Sequence, residues 1–173
     1  MQIRKAALSD AAAIAKVHID SWKTTYRGIV PDAYLDTLSY EDRKKRWEAN
    51  LKADQHVFVA ENEEGAIVGF ASGGKERSGH PLYSGELYAL YILQAYQRQG
   101  IGKKLVREIM NAVSQRGFQS MLIWVLEDNP AKYFYESMGG KEIMKQTLEI
   151  GGARLTEIAY GWEHLAIGTK PQE

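Results

Sequence analysis

The 173-residue sequence has no cysteine and no net charge, since 22 Lys and Arg residues balance 22 Asp and Glu residues. The absence of cysteine excludes disulfides, thiolate zinc sites and cysteine nucleophiles, and it favours a reducing compartment. Zero net charge argues against a nucleic acid or an anionic membrane held by bulk charge. No run approaches the ~18 apolar residues of a membrane span, and the N-terminal MQIRKAALSD lacks the apolar core of a signal peptide. We therefore expect a cytoplasmic protein without a metal site.

The length and composition are those of one soluble globular domain. Apolar residues make up 45% of the chain and charged residues 25%, which are ordinary values. A chain of this length can bury a full core. We assign residues 1–167 to a single domain and expect residues 168–173 to form a disordered tail.

Hydrophobic periodicity predicts helices and strands in a definite order. The segment SMLIWVL is apolar at nearly every position, which indicates a central strand buried on both faces and parallel to a neighbour. This order predicts an α/β fold with a mixed, mostly antiparallel sheet and helices around it. We predict strands at 2–5, 56–61, 66–72, 88–93, 120–126, 142–149 and 155–162, and helices that begin near residues 10, 32, 40, 101 and 130.

Three features outside the strands are predicted from the local sequence. Ser9 is a suitable cap for the helix that begins near residue 10, and Ser39 is a suitable cap for the helix that begins near residue 40. The basic run from Arg43 to Arg46 is expected to be a solvated helix face. The segment 73–85 is expected to be a long polar loop, next to the central strand and able to fold over a substrate.

The stretch from Glu86 to Met110 combines a strand, a glycine-containing loop and a helix. Backbone N–H groups at such a helix N-terminus lack intrahelical partners, and together with the helix dipole they favour a phosphate or pyrophosphate. The spacing excludes two common phosphate motifs. The third glycine of the dinucleotide fingerprint would fall at Leu105, and Lys104 is not followed by the Ser or Thr of a P-loop.

The remaining pattern resembles the coenzyme A loop of the GNAT acyltransferase superfamily. It consists of Gln97-x-x-Gly100-x-Gly102 after a strand, and a later segment, Asn-Pro-Ala-Lys-Tyr-Phe-Tyr-Glu-Ser-Met-Gly, ends at Gly139. The resemblance covers nearly the whole chain. It implies a GNAT-like fold of about seven strands in which two parallel neighbours splay apart, and acetyl-CoA as co-substrate.

The resemblance also assigns residues to the coenzyme. Backbone groups of Leu90, Tyr91 and Ile92 would pair with the pantetheine arm like an added strand, and Asn129 would reach it from the other side. The loop and helix start would wrap the pyrophosphate through Gln97, Arg98, Gln99, Gly100, Ile101, Gly102 and Lys103.

Acetyl transfer to an amine needs three kinds of catalytic group. Tyr135 matches the family tyrosine that faces the coenzyme sulfur, where a phenol can protonate the leaving thiolate. The N–H of Ile92 is a candidate donor to the developing oxyanion. Glu86 is the first candidate for the base, directly or through water, because its position matches the glutamate of the histone-acetylating branch. Glu127 and Asp128 are alternatives.

The acceptor is less constrained by the sequence. His18, Trp22 and Tyr26 are spaced by four and share a helix face. We expect His18 to pack on the sheet, whereas Trp22 and Tyr26, with Glu86, are candidates to line the acceptor pocket. The partner would be a small-molecule or peptide amine, and a homodimer is possible by analogy. A coenzyme A-binding sensor without turnover and an enzyme acting on nucleotide phosphates are the alternative functions.

Overall fold

The structure is a computed structural model, and it describes residues 1–165. The predicted tail at 168–173 lies outside the described residues, and the single domain over 1–167 stays a prediction. Within residues 1–165, none of the helices has the length and apolar content needed to cross a bilayer.

Residues 1–165 form seven strands and five α-helices. The strands are β1 (Gln2–Lys5), β2 (His56–Glu61), β3 (Ile67–Lys75), β4 (Gly85–Ile92), β5 (Met121–Leu126), β6 (Lys141–Ile150) and β7 (Ala153–Trp162). The helices are α1 (Ala11–Tyr26), α2 (Asp32–Leu35), α3 (Tyr40–Lys52), α4 (Ile101–Gln115) and α5 (Ala131–Ser137).

The strands form one sheet in the order β1-β2-β3-β4-β5-β7-β6. Every neighbouring pair is antiparallel except β4 and β5, which are parallel. The predicted mixed, mostly antiparallel sheet of seven strands is therefore confirmed. The single parallel pair at its centre is the feature on which the site depends.

Helices cover both faces of this sheet. On one face, α4 buries Leu105, Ile109 and Val113 completely, as the helical spacing of these residues predicts. On the other face, α1 and α3 pack around Ile14, Trp47 and the β3 residue Phe70. The central strands β4 and β5 are largely covered by these layers, whereas the edge strand β6 is mostly exposed.

The loop predicted at residues 73–85 is shorter than expected, because β3 continues through the two glycines. A β-carbon at Gly73 would lie 2.6 Å from the Ile109 side chain, and one at Gly74 would lie 2.9 Å from the Tyr88 hydroxyl. Gly73 and Gly74 are therefore strand residues that permit close packing on both faces of the sheet. The actual loop, residues 76–84, lies where β4 begins, at the end of the strand away from the glycine-containing loop.

The two predicted caps have different outcomes. The Ser39 hydroxyl accepts a hydrogen bond from the Asp42 N–H at 3.2 Å, so that cap is confirmed. The Ser9 cap is wrong. Ser9 lies inside a short 3-10 turn, and the Asp10 carboxylate accepts the Ala7 N–H at 2.7 Å. Arg4 holds Asp10 in place at 2.8 Å, a long-range contact that local sequence does not reveal.

Candidate active site

A wedge-shaped gap opens between the parallel strands β4 and β5. Their register contains only two residue pairs, Gly85 with Met121 and Glu86 with Leu122. Beyond Glu86, β4 remains paired with β3 up to Ile92 but has no partner on its other side. The gap therefore presents an unpaired strand edge, which can bind an extended ligand as an added strand would.

The register decides which β4 backbone groups face the gap. Leu93 donates its N–H to the Val68 carbonyl at 2.9 Å, so this pair is hydrogen-bonded. In an antiparallel ladder hydrogen-bonded and non-bonded pairs alternate, so the backbone groups of Ile92 and Leu90 point away from β3. Those of Tyr91 point toward β3. Leu90 and Ile92 thus supply the open edge, whereas Tyr91 contributes its side chain.

The glycine-containing loop leads directly into α4 at one end of the gap. Gly100 caps this helix with φ +82°, and Arg98 also has a positive φ of 62°. No atom lies within 4 Å of a β-carbon built at Gly100, so the space above the helix N-terminus is open. The Gln97 side chain donates to the Ile92 carbonyl at 3.0 Å and joins the loop to the strand edge.

Gly102 begins the first turn of α4 on the side of the gap. A β-carbon there would lie 3.3 Å from Ile92 and 3.4 Å from Phe134. Glycine at this position therefore lets the helix start close to the strand and to α5. The strand edge, the loop and the first turn of α4 form one continuous surface with backbone donors and without an acidic side chain from residues 97–103.

Tyr135 lies on α5, on the opposite side of the gap from the loop. Its side chain is buried, and burial raises the pKa of its phenol well above the ordinary value. The nearby Tyr26 hydroxyl raises it further. Tyr135 is therefore a neutral phenol at physiological pH that can donate a proton but does not carry a charge.

Asn129, Tyr26 and Tyr91 form a hydrogen-bonded group at the mouth of the gap. The Asn129 side-chain amide donates to the Tyr26 hydroxyl at 3.3 Å, and that hydroxyl lies 3.4 Å from the Tyr91 hydroxyl. Asn129 also accepts the Ala131 N–H at 2.9 Å, which fixes its side chain at the start of α5. Burial raises the pKa values of both Tyr26 and Tyr91, so the group is uncharged.

Glu86 lies at the closed end of the gap, where β4 and β5 still pair. Its side chain is buried and accepts hydrogen bonds from the backbone N–H of Arg77 at 3.1 Å and from its guanidinium at 2.7 Å. The Arg77 guanidinium also stacks 4.1 Å from the centre of the Tyr88 ring. Four residues separate Glu86 from Leu90, about 13 Å along a strand at ~3.3 Å per residue. A group bound beside Leu90 would therefore exchange a proton with Glu86 through intervening water.

The alternative carboxylates lie outside the gap. Glu127 forms an ion pair with Lys145 at 3.0 Å on the surface, and Asp128 is exposed. Neither makes a hydrogen bond to the group around Asn129 among residues 1–165. Residues 1–165 also contain no cluster of three or more His, Cys, Asp or Glu side chains placed to hold a metal ion.

An aromatic wall extends from this group across α1. Trp22 packs 4.5 Å from Tyr26 between ring centres, and His18 stacks on Tyr91 at 5.0 Å with an interplanar angle of 22°. The Trp22 indole N–H is buried and has no hydrogen-bond partner among the described residues. The predicted acceptor residues Trp22 and Tyr26 therefore lie beside Tyr91 and close to Asn129.

His18 is a packed, neutral part of this wall. Trp47 donates its indole N–H to the His18 Nδ1 at 3.1 Å, so the remaining proton of the neutral ring is on Nε2. Burial, together with the nearby positive charge of Arg43, lowers the pKa of His18 to about 3. The expectation that His18 packs on the sheet agrees with its contacts to Phe70 and Tyr91.

The tip of the β6–β7 hairpin closes the far side of the wall. Gly151, with φ +57°, approaches Tyr34 of α2 so closely that a β-carbon would lie 2.6 Å from the Tyr34 Cβ. Leu126, Leu148 and Leu155 pack beneath this contact. The Trp22 and Tyr34 ring centres lie 6.4 Å apart, so α1, α2 and the hairpin meet beside Tyr26.

Comparison with known proteins identifies the family. The profile of the acetyltransferase (GNAT) family matches residues 18–139, about 70% of the chain. The chain belongs to the acetyltransferase (GNAT) family. The predicted membership and the predicted acetyl-CoA-dependent acyltransferase class are thereby confirmed.

Two curated relatives and one solved structure illustrate the similarity. The uncharacterized N-acetyltransferase YuaI of Bacillus subtilis (strain 168) is 44% identical over 165 residues, covering 95% of this chain and 94% of the relative. The spermidine N(1)-acetyltransferase of Thermoplasma acidophilum is 25% identical, covering 82% of this chain and 88% of the relative. The phosphinothricin acetyltransferase (Pat) of Sinorhizobium meliloti, solved in complex with acetyl-CoA, has a TM-score of 0.73 at 20% identity. This alignment covers 99% of this chain and 93% of the Pat chain, and it shows the shared fold.

The residues of this chain fit coenzyme A. The unpaired edge at Leu90 and Ile92 suits a pantetheine arm with its two amides, and the open space at Gly100 lies before the unpaired N–H groups of α4. The structure also includes site residues that sequence reasoning missed. The side chains of Trp47 and Arg43 join the aromatic wall. Arg43 and Lys44 are both half-buried, so the prediction of a solvated face is wrong for these two members of the basic run. The apolar spacing of Trp47 and Leu51 along α3 was the signal that this helix face is inward.

Proposed function

We propose that the protein transfers an acetyl group from acetyl-CoA to a primary amine, on a small molecule or a peptide N-terminus, by direct attack in a ternary complex. The observation that carries the proposal is that the open β4 edge and the buried Tyr135 phenol lie on opposite sides of one gap. An arm bound along Leu90 and Ile92 would bring its terminal sulfur toward Tyr135. The aromatic cleft at Tyr26 would then admit the amine from the other face.

Each catalytic role follows from a group already in place. Acetyl-CoA, when bound, supplies a thioester whose carbonyl carbon a neutral amine can attack. The backbone N–H of Ile92 would donate to the carbonyl oxygen as negative charge develops on it, an interaction typically worth ~3 kcal/mol. Tyr135 would give its phenolic proton to the departing sulfur.

The amine must lose its proton to become a nucleophile. A lysine-like amine with an ordinary pKa of ~10.4 is neutral in only about one molecule per thousand at pH 7. Among the candidates, Glu86 is the buried carboxylate on the strand that forms the gap, and we propose that it accepts this proton through ordered water. Arg77 is on the surface loop, and its side chain is 62% exposed. The Glu86 carboxylate would therefore accept hydrogen bonds from both Arg77 and the ordered water.

Release of free thiol from acetyl-CoA tests the function directly. The protein is assayed with a panel of amino acids, polyamines and peptides with free N-termini, and the acetylated product is identified by mass spectrometry. Turnover with at least one amine supports the proposal. Tight coenzyme A binding without turnover on any amine would instead favour a coenzyme A sensor.

A third function, an enzyme acting on nucleotide phosphates, predicts a different ligand profile. Protection against thermal unfolding by ATP or NAD, without protection by coenzyme A, would support it.

We also propose a cytoplasmic location and retain a homodimer as a prediction. Tyr160 and Trp162 of the C-terminal hairpin are buried within the chain itself, so a homodimer would use other residues.

A further inference from the structure

A cationic side chain without a carboxylate partner faces the acceptor cleft. Arg43 lies on α3 one helical turn after Tyr40 and one before Trp47. Tyr40 donates its hydroxyl to Asp20 of α1 at 2.5 Å, and Trp47 donates to His18 at 3.1 Å. Residues three and four apart share a helix face, so Arg43 is directed at α1 between these two contacts.

The surroundings of Arg43 place its charge beside the aromatic wall. The side chain is half-buried, and burial together with the charge of Arg46 lowers the pKa of its guanidinium. The tyrosine hydroxyls of Tyr34 and Tyr91 lie within electrostatic range and oppose this effect. Both tyrosines belong to the aromatic wall of the proposed acceptor cleft. One side of the guanidinium therefore faces this wall, and the other side faces solvent.

Nothing in the described part of the chain neutralises this charge. No Asp or Glu oxygen among residues 1–165 lies within 4.0 Å of Arg43, although nine other ion pairs form there. The nearby carboxylates are engaged elsewhere. Asp20 is held by Lys16 and Tyr40, and Glu157, which lies near Tyr26, accepts a hydrogen bond from Gln146.

The cleft therefore offers hydrogen-bond donors and one positive charge. A half-buried guanidinium without a carboxylate is costly, and its planar fork matches a carboxylate well. A polycationic acceptor would meet like charge at Arg43, whereas an acceptor with a carboxylate would meet a complementary group.

We propose that Arg43 binds a carboxylate of the acceptor, so that the substrate is a small amino acid-like amine whose apolar part packs on Trp22 and Tyr91. This inference rests on the proposed acetyltransferase function and names the acceptor class for the same site. Because Tyr91 adjoins both Arg43 and the group around Tyr26, the carboxylate and the reacting amine belong to one small molecule. Arg43 is a substrate-binding residue, and it takes no part in the proton transfers.

Matched pairs of substrates test this proposal. Thiol release is measured with L-leucine, L-phenylalanine, β-alanine and 4-aminobutyrate, each against its carboxamide, and with spermidine. For at least one pair we expect the acid to have a kcat/KM at least ten times that of the amide. Arg43→Gln should reduce this ratio toward one through an increased KM for the acid, while kcat and the KM for acetyl-CoA change less than threefold.

Arg46→Gln is the control, because it removes the same charge from the exposed face of the same helix. It should leave the acid-to-amide ratio unchanged. Turnover of spermidine or of the amides without a preference for any acid would overturn the proposal and leave the acetyltransferase function intact. An unchanged ratio in Arg43→Gln would also overturn it. Absence of turnover with every amine, with coenzyme A still bound, would overturn the proposed function itself.

Discussion

The side-chain amide of Asn129 donates to the Tyr26 hydroxyl at 3.3 Å, although 103 residues separate them in the chain. This contact joins the start of α5, which positions Tyr135, to the end of α1, which forms the acceptor wall. Asn129 can hold both because its oxygen caps α5 at Ala131 while its nitrogen reaches Tyr26. The proposed coenzyme side and the proposed acceptor side of the site are thus connected by one buried amide.

Tyr135→Phe is expected to lower kcat by ~10-fold to 1000-fold, as for loss of a general acid, with little change in coenzyme A affinity. The measurement is steady-state thiol release together with calorimetric titration of coenzyme A. Tyr160→Phe is the control, since it removes another buried hydroxyl, which donates to Glu136 at 2.9 Å outside the gap. Wild-type turnover in Tyr135→Phe would contradict the assigned role.

Gly100→Val is expected to weaken coenzyme A binding by ~100-fold or more, because the added side chain would occupy the open space above the N-terminus of α4. Gly117→Val is the matched control at the other end of the same helix, with φ +89° and equally open space. Both variants should lose ~1–2 kcal/mol of stability through the left-handed backbone. Equal coenzyme A affinities in the two variants would refute the role of the loop.

Glu86→Gln is expected to lower kcat by ~100-fold, within the range for loss of a general base, with little change in coenzyme A affinity. Gln keeps the size of the side chain and can still accept a hydrogen bond from Arg77. The control is Arg77→Gln, which removes the ion pair but keeps the carboxylate, so it should retain most of the activity. If Glu86→Gln loses stability but not kcat, Glu86 is a structural partner of Arg77 and the proton leaves through water alone.

His18→Gln is expected to reduce the loss of stability at mildly acidic pH. The pKa of His18 is 6.5 in its ordinary state and about 3 in the fold, so protons bind the unfolded chain preferentially between these values. The free energy of unfolding is therefore undiminished by His18 above pH 6.5, and it declines as the pH falls below that value. The decline is ~1.4 kcal/mol per pH unit, or about 2 kcal/mol at pH 5.

Urea unfolding of wild type and His18→Gln at pH 7.5 and pH 5 measures this difference. Gln was chosen because its oxygen can accept the Trp47 indole N–H. At pH 7.5, where the imidazole is neutral in both states, the comparison gives the packing effect of the substitution alone. If the free energy of unfolding changes equally with pH in the two proteins, His18 is not buried as a neutral ring.

Gly151→Ala is expected to raise the KM for the amine several-fold while the KM for acetyl-CoA stays unchanged. The new methyl group would collide with Tyr34, so the hairpin must move away from α2 and open the acceptor cleft. Gly152→Ala is the matched control, because Gly152 has φ +82° but no atom within 4 Å of the added carbon. Equal KM values for the amine in both variants would show that the hairpin does not shape the cleft.

The parts of the fold that local sequence predicted are those governed by local physics. The apolar spacing of α4, the run SMLIWVL of β5 and the Ser39 cap each depend on residues within one element, and they are confirmed. The errors arose where distant residues decided the outcome. Gly73 and Gly74 resemble a loop in isolation, but α4 and Tyr88 pack so closely on β3 that the strand requires them. Arg43 belongs to a basic run in the sequence, but Trp47, four residues later, turns its face toward α1.

By itself the sequence determined the order of the elements and the loop from Gln97 to Gly102, because these follow from periodicity and from the spacing of glycines along one segment. The resemblance of its motifs indicated the family, which the family profile confirmed. Only the tertiary structure decided that Leu90 and Ile92 face the gap, since that depends on the register between β3 and β4. It also decided that Arg43 lies near Tyr34 and Tyr91 and that Asn129 reaches Tyr26. These contacts join segments far apart in the chain, and their geometry exists only once the sheet and both helical layers have packed.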